Sequence, residues 1–128
     1  MKVDLFTLCE GAHNNNGHLT IVHTSDAFNV ESFPSRLSFG LALKIYIKAQ
    51  EEGEHILKIS IIDKQTGESI IHPIESRLHI TKMDYASHIA IALNLQNVLF
   101  LHSGVYDIHL ETEDKRLDDF AFEVISHE

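Results

Sequence analysis

The chain has a single cysteine, no tryptophan and few basic residues. With only Cys9 available, no intramolecular disulfide can staple the fold. Without tryptophan, a sugar-binding platform falls to Tyr46 and Tyr85, which supports carbohydrate recognition only weakly. Ten Lys and Arg stand against 19 Asp and Glu, for a formal charge of −9, so a phosphate backbone is repelled and no nucleic-acid partner is expected. No run approaches the roughly 20 apolar residues of a membrane-spanning helix, so no membrane partner is expected. The opening MKVDLFTLCEGAH carries an acid at Asp4 and lacks the apolar length and cleavage pattern of a secretory leader. A soluble, cytoplasmic protein is therefore expected.

No long segment shows a helical period either. What is present instead is alternation. From Leu37 to Ile47 every odd residue is large and apolar, while the even ones are Ser38, Gly40, Ala42, Lys44 and Tyr46. Period two is the mark of a strand with one buried face. The same rule points Leu57, Ile59 and Ile61 inward, then Ile89, Ile91, Leu93 and Leu95, then Tyr106, Ile108 and Leu110, then Phe120, Phe122 and Val124. Turn residues separate the runs at Asn16-Gly17, Ser32–Ser35, Glu51–Gly53, Gln65–Gly67 and Glu113–Lys115. Residues 1–128 are therefore expected to form one all-β domain, an antiparallel β-sandwich of roughly eight strands. A hydrophobic content of 44% over 128 residues is ample for its core.

Ser103-Gly-Val-Tyr106 refines this expectation. A Gly-x-Tyr before an alternating strand and a final hairpin resembles the tyrosine corner of immunoglobulin-like sandwiches. Tyr106 is thus expected to be structural. Where the antibody pattern has an aspartate and a cysteine, this chain has His102 and Ile108, so the resemblance is to the fold without its disulfide.

Further features span most of the chain. They are Leu8-Cys9-Glu10 with Ala12, Phe33-Pro34, Glu52-Gly53-Glu54-His55 opening a strand that ends at Asp63, Leu93-Asn-Leu-Gln96, and Gly104-Val-Tyr106. Together they resemble a family of small, functionally uncharacterised bacterial proteins, a domain of unknown function. That resemblance implies the fold class and a bacterial or phage source, and it implies no catalytic residues.

The strongest candidate for chemistry is HNNNGH, from His13 to His18. A four-residue loop would set the two histidines opposite each other, with Cβ atoms about 5 Å apart. Zinc needs three or four protein ligands, and the next positions on that face, Gly11 and Thr20, supply none. A two-residue turn at Asn16-Gly17 puts His18 opposite Asn15 instead, because a type I′ turn takes positive φ at both of its positions. A three-residue loop would bring Cys9 to His23, but no orienting group accompanies the pair. Glu111, Glu113 and Asp114, with Asp118 and Asp119 following, form an acidic hairpin end without an Asp-rich calcium loop. There is no P-loop, dinucleotide fingerprint, HExxH or G-x-S-x-G. No cofactor, no metal and no enzymatic activity are expected.

The outward sheet faces differ from one another. Gly40, Ala42 and Tyr46, beside Ala90 and Ala92, would make a flat surface of small residues with little charge, whereas Asp107, His109 and Glu111 would face solvent. Three covers fit the neutral patch: a second copy, a partner protein, or the chain's own N-terminal hairpin. The resulting expectation is a non-catalytic sandwich that acts through protein interaction or self-assembly. The alternative is a sandwich that binds a small ligand or metal through loop histidines.

Overall fold

The computed structural model describes residues 1–81, 87–113 and 115–126. It contains nine strands: β1 (Lys2–Asn15), β2 (His18–Thr24), β3 (Ala27–Val30), β4 (Ser35–Ile47), β5 (Gly53–Asp63), β6 (Ile74–Ile80), β7 (Ser87–Phe100), β8 (Gly104–Thr112) and β9 (Lys115–Ser126). One 3-10 turn, Ala49–Glu51, joins β4 to β5. Sheet A runs β2-β1-β4-β7 and sheet B runs β3-β9-β8-β5-β6. This is an immunoglobulin-like arrangement, in which the chain leaves sheet A after β2 and enters sheet B at β3. The expected count of eight rises to nine because short β3 forms a strand of its own. It pairs with β9 in parallel, so the sandwich is not wholly antiparallel.

Alternation builds the core. Leu41, Leu43 and Ile45 of β4, Leu57 and Ile61 of β5, and Ile108 and Leu110 of β8 are fully buried between the sheets. At one end Phe28, Phe39, Phe100, Tyr106 and Phe122 form an aromatic cluster, with the Phe100 and Tyr106 rings 4.9 Å apart and nearly perpendicular. The parity of β7 changes along its length. Leu37 pairs with Val98 but Phe39 with Leu95, so two β7 residues stand opposite Ser38 alone. Asn97 takes φ +55° in this bulge. Beyond it Val98 and Phe100 turn inward, where strict alternation from Leu95 would have pointed their neighbours.

The N-terminal hairpin decides what covers sheet A. β1 pairs with β4 only as far as Cys9↔Gly40. Past that point β1 peels off and crosses the outer face of the sheet, where the Ala12 N–H donates to Asn94 Oδ1 (3.1 Å) and Asn94 Nδ2 donates to the Ala12 carbonyl (3.0 Å). Cys9, Ala12 and Ala42 form a second small core there, joined by Leu19, Ile21 and Ala92. Gly40 is needed for this approach. A Cβ on it would lie 3.0 Å from the Ala12 nitrogen, the Gly11 Cα and the Cys9 sulfur.

Candidate functional site

The histidine pair at the hairpin tip is not a clasp. Asn16 and Gly17 take φ +54° and +85°, and Asn15 pairs with His18 while His13 pairs with Thr20. The turn is therefore the two-residue type I′, braced by the Gly17 N–H donating to Asn14 Oδ1 at 2.9 Å. Both histidines are exposed on separate rungs. Cys9 pairs with Thr24 rather than His23, and burial pushes its thiol pKa up, away from the reactive thiolate. His23 instead meets Glu10 at 3.0 Å. At the acidic hairpin end, Glu113 bonds His55 at 2.6 Å and Arg116 pairs with Asp119 at 3.6 Å. Asp114, Tyr85 and His127 lie outside the described residues. Among the described residues, no group of three or more His, Cys, Asp or Glu is placed to hold a metal ion.

The neutral patch needs a correction. Gly40 and Ala42 do not present an open surface, because the N-terminal hairpin lies over them. Ala92 packs into the same small core, and the Ala90 carbonyl accepts from Asn14 Nδ2 at 2.9 Å. Tyr46 is half-buried at the far end of β4, with its ring 5.4 Å from His88, which bonds Asp4 at 2.7 Å. Small outward residues thus allow the close approach of another element, and here that element belongs to the chain itself.

A connected polar constellation lies where β7 crosses to β8. Tyr106, 1% exposed, donates its hydroxyl proton to the His102 carbonyl at 2.6 Å. His102 faces two groups that only accept, the Ser103 carbonyl at 2.8 Å from Nδ1 and Asp63 Oδ2 at 2.7 Å from Nε2. Both ring nitrogens therefore donate, which favours the imidazolium. The His102 pKa is accordingly raised, first by the Ser103 bond and then by Asp63. Asp63 also accepts from the Gln65 N–H at 2.9 Å and anchors the turn that ends at Gly67. Burial, and then the Asp63 charge, push the Tyr106 phenol pKa up. A cavity of about 250 Å³ opens beside this corner, lined by Asp63, Ile70, Leu99, Leu101, His102 and Tyr106 among others. Each side-chain polar atom of the trio has a partner within the corner, and the Asp63–His102 bond ties the end of β5 to the β7–β8 connection. The Asp63–His102 contact escaped sequence reading because 39 residues separate the partners. Its one visible signal is an acid on the inward parity of β5, in line with Leu57, Ile59 and Ile61.

A family profile matches residues 4–125, nearly the whole chain. The chain belongs to DUF6941, a family of unknown function. No curated protein matches DUF6941's member described here. Its fold is similar to part of an alkylpurine DNA glycosylase, AlkC, from Pseudomonas fluorescens solved with DNA containing an abasic-site analog, at TM-score 0.56 and 14% identity over 97% of this chain. It is also similar to part of a β-glucosidase from Listeria innocua solved with isofagomine, at TM-score 0.51 and 11% identity over 94% of this chain. The chain spans only 30% and 16% of those two proteins, and at such identities the likeness is one of fold. An immunoglobulin-like protein from Pseudomonas aeruginosa matches at TM-score 0.46 and 12% identity, over 96% of this chain and 94% of that one. Among the described residues, no helix is long and apolar enough to cross a membrane.

Proposed function

We propose that this DUF6941 chain is a non-catalytic cytoplasmic sandwich that works by protein–protein contact at a sheet edge. The observation that carries this reading is the outer strand of sheet A. β7 is 14 residues long, ends the sheet, and contains no Asp, Glu, Lys, Arg or Pro. Exposed edges in natural proteins are usually guarded by such residues, since an unguarded edge offers its backbone groups to any passing strand. The engagement of Asp63, His102 and Tyr106 in bonds that hold the corner together supports the non-catalytic part. The lone buried thiol of Cys9 suits a reducing compartment.

The test is photo-crosslinking in the native cell from a probe residue placed at Gln96 on β7, His79 on β6 or Val22 on β2. Covalent adducts with another protein from one of these edges are expected. Absence of any protein adduct from all three would overturn the reading.

A further inference from the structure

We infer that the wedge between the N-terminal hairpin and the outer face of sheet A binds a medium-chain aliphatic carboxylate, with Lys44 at the mouth of the wedge holding the carboxylate. This site lies apart from the sheet-edge contact proposed above and stands or falls independently of it.

The path of the hairpin makes the wedge. β1 pairs with β4 from Lys2↔Tyr46 to Cys9↔Gly40, and the hairpin then folds back over the sheet. On the way Ala12 meets Asn94, and Asn14 meets the Ala90 carbonyl. Within the sheet Asn94 shares a row with Gly40 and Cys9, whereas Ala90 shares a row with Lys44 and Leu5. The outward residues of β4 grow along that path, from Gly40 through Ala42 to Lys44. Hairpin and sheet therefore touch at the first row, where Cys9, Ala12 and Ala42 are buried, and separate toward the second. A cavity of about 330 Å³ opens there, with Leu5 and Lys44 on the sheet side and Gly17, His18, Leu19 and Ile21 on the hairpin side. Leu19 and Ile21 also pack against the small core, so the cavity runs from an apolar end out to the lysine. All six lining residues are described. Residues 82–86 lead into β7 at Ser87, whose partner Ile47 stands three rungs beyond Lys44.

The lining selects the occupant. Leu5, Leu19 and Ile21 are half-buried and leave aliphatic surface that a hydrocarbon chain would take out of water. Lys44 is the one charged residue from Leu37 to Ile47, and it is exposed. Lys2 and Lys64 each pair with an aspartate, at 3.9 and 3.5 Å, but Lys44 has no ion-pair or hydrogen-bond partner among the described residues. No acid lines the cavity. Asp4, beside Leu5 in the chain, bonds His88 at 2.7 Å. A carboxylate at the mouth would thus meet an unpaired ammonium, with the His18 ring available as a second donor. A peptide fits less well, because Leu5, Leu19 and Ile21 offer its N–H and C=O groups no partner. An alkyl chain has no such groups to satisfy, and inorganic phosphate would leave the aliphatic wall wet.

The experiment titrates the full chain with decanoate, kept below its micelle concentration at neutral pH, and follows it by NMR. Saturable binding below about 1 mM is expected, with shifts centred on Leu5, Lys44 and residues 18–21. Acetate, which has the head without the chain, should bind at least tenfold more weakly. Octanoate should bind more tightly than octanol, which has the same chain without the charge. Lys44→Met keeps an unbranched side chain at an exposed position and removes its charge, so it should weaken decanoate at least tenfold and leave octanol unchanged. Lys44→Gln serves the same purpose should that variant misfold. No saturable binding at millimolar decanoate, equal binding of acetate, octanol binding as tightly as octanoate, shifts centred on the Asp63–His102 cavity, or full decanoate affinity in the folded Lys44 variant would each overturn the site.

Discussion

The phenol of Tyr106 is held between two kinds of interaction, ring packing against Phe100 and Phe122 and one hydrogen bond to the His102 carbonyl. Tyr106→Phe keeps the first and removes the second, leaving a carbonyl short of a donor. A loss of about 1–2 kcal/mol is expected, read from the urea midpoint at unchanged slope. The neighbouring imidazole adds pH dependence. The folded-state pKa of His102 is raised above its ordinary 6.5, so its contribution is full below that value and is lost as pH climbs through the raised one. Wild type should therefore lose stability relative to His102→Gln on going from mildly acidic to mildly alkaline solution. Paired urea titrations across that range check the sign, and an NMR titration of the His102 ring checks the cause.

Elements interact here through very small residues. The hairpin of β1 and β2 lies close on sheet A because Gly40 has no side chain and Asn94 clasps Ala12 through both its amide atoms. Gly40→Ala would push a methyl against backbone that cannot rotate away, so the hairpin must lift. A cost of about 1–3 kcal/mol is expected, with faster amide exchange across Gly11–Thr24 than in β8. Asn94→Ala should loosen the same amides while leaving the Asn16-Gly17 turn intact. The turn itself was legible in the sequence, since Asn-Gly is suited to two successive positive φ values. The cover was not, because Gly40, Ala42, Ala90 and Ala92 show only that something small-residue-tolerant packs there. Which of three covers it is depends on where β1 leaves β4.

For the molecule as a whole, charge governs behaviour in solution. The formal charge is −9 with the histidines neutral. With a sequence pI near 5.5, repulsion between molecules vanishes in mild acid. A solubility minimum is expected close to that pH, with recovery on either side, measured as protein left in the supernatant across a pH series. Uneven sheet widths are the other property of the whole. They arise because β6 returns beside β5 while the chain then crosses to β7, leaving sheet B one strand wider than sheet A.

Local physics is enough to read most of the fold from this chain. Period-two alternation marks β4, β5, β8 and β9, and one cysteine rules out a disulfide. Gly104-Val-Tyr106 marks the corner because a buried hydroxyl must find an acceptor within a few residues. Other features required the tertiary structure. The bulge at Asn97 switches the inward parity of β7 through a register set by β4. The pairing of Asp63 with His102 comes from strand ends meeting in space, and β3 forms a strand only because β9 lies beside it. The hairpin cover depends on where β1 leaves β4, after Cys9↔Gly40. Periodicity tells which face of a strand is apolar, but only packing decides what meets it.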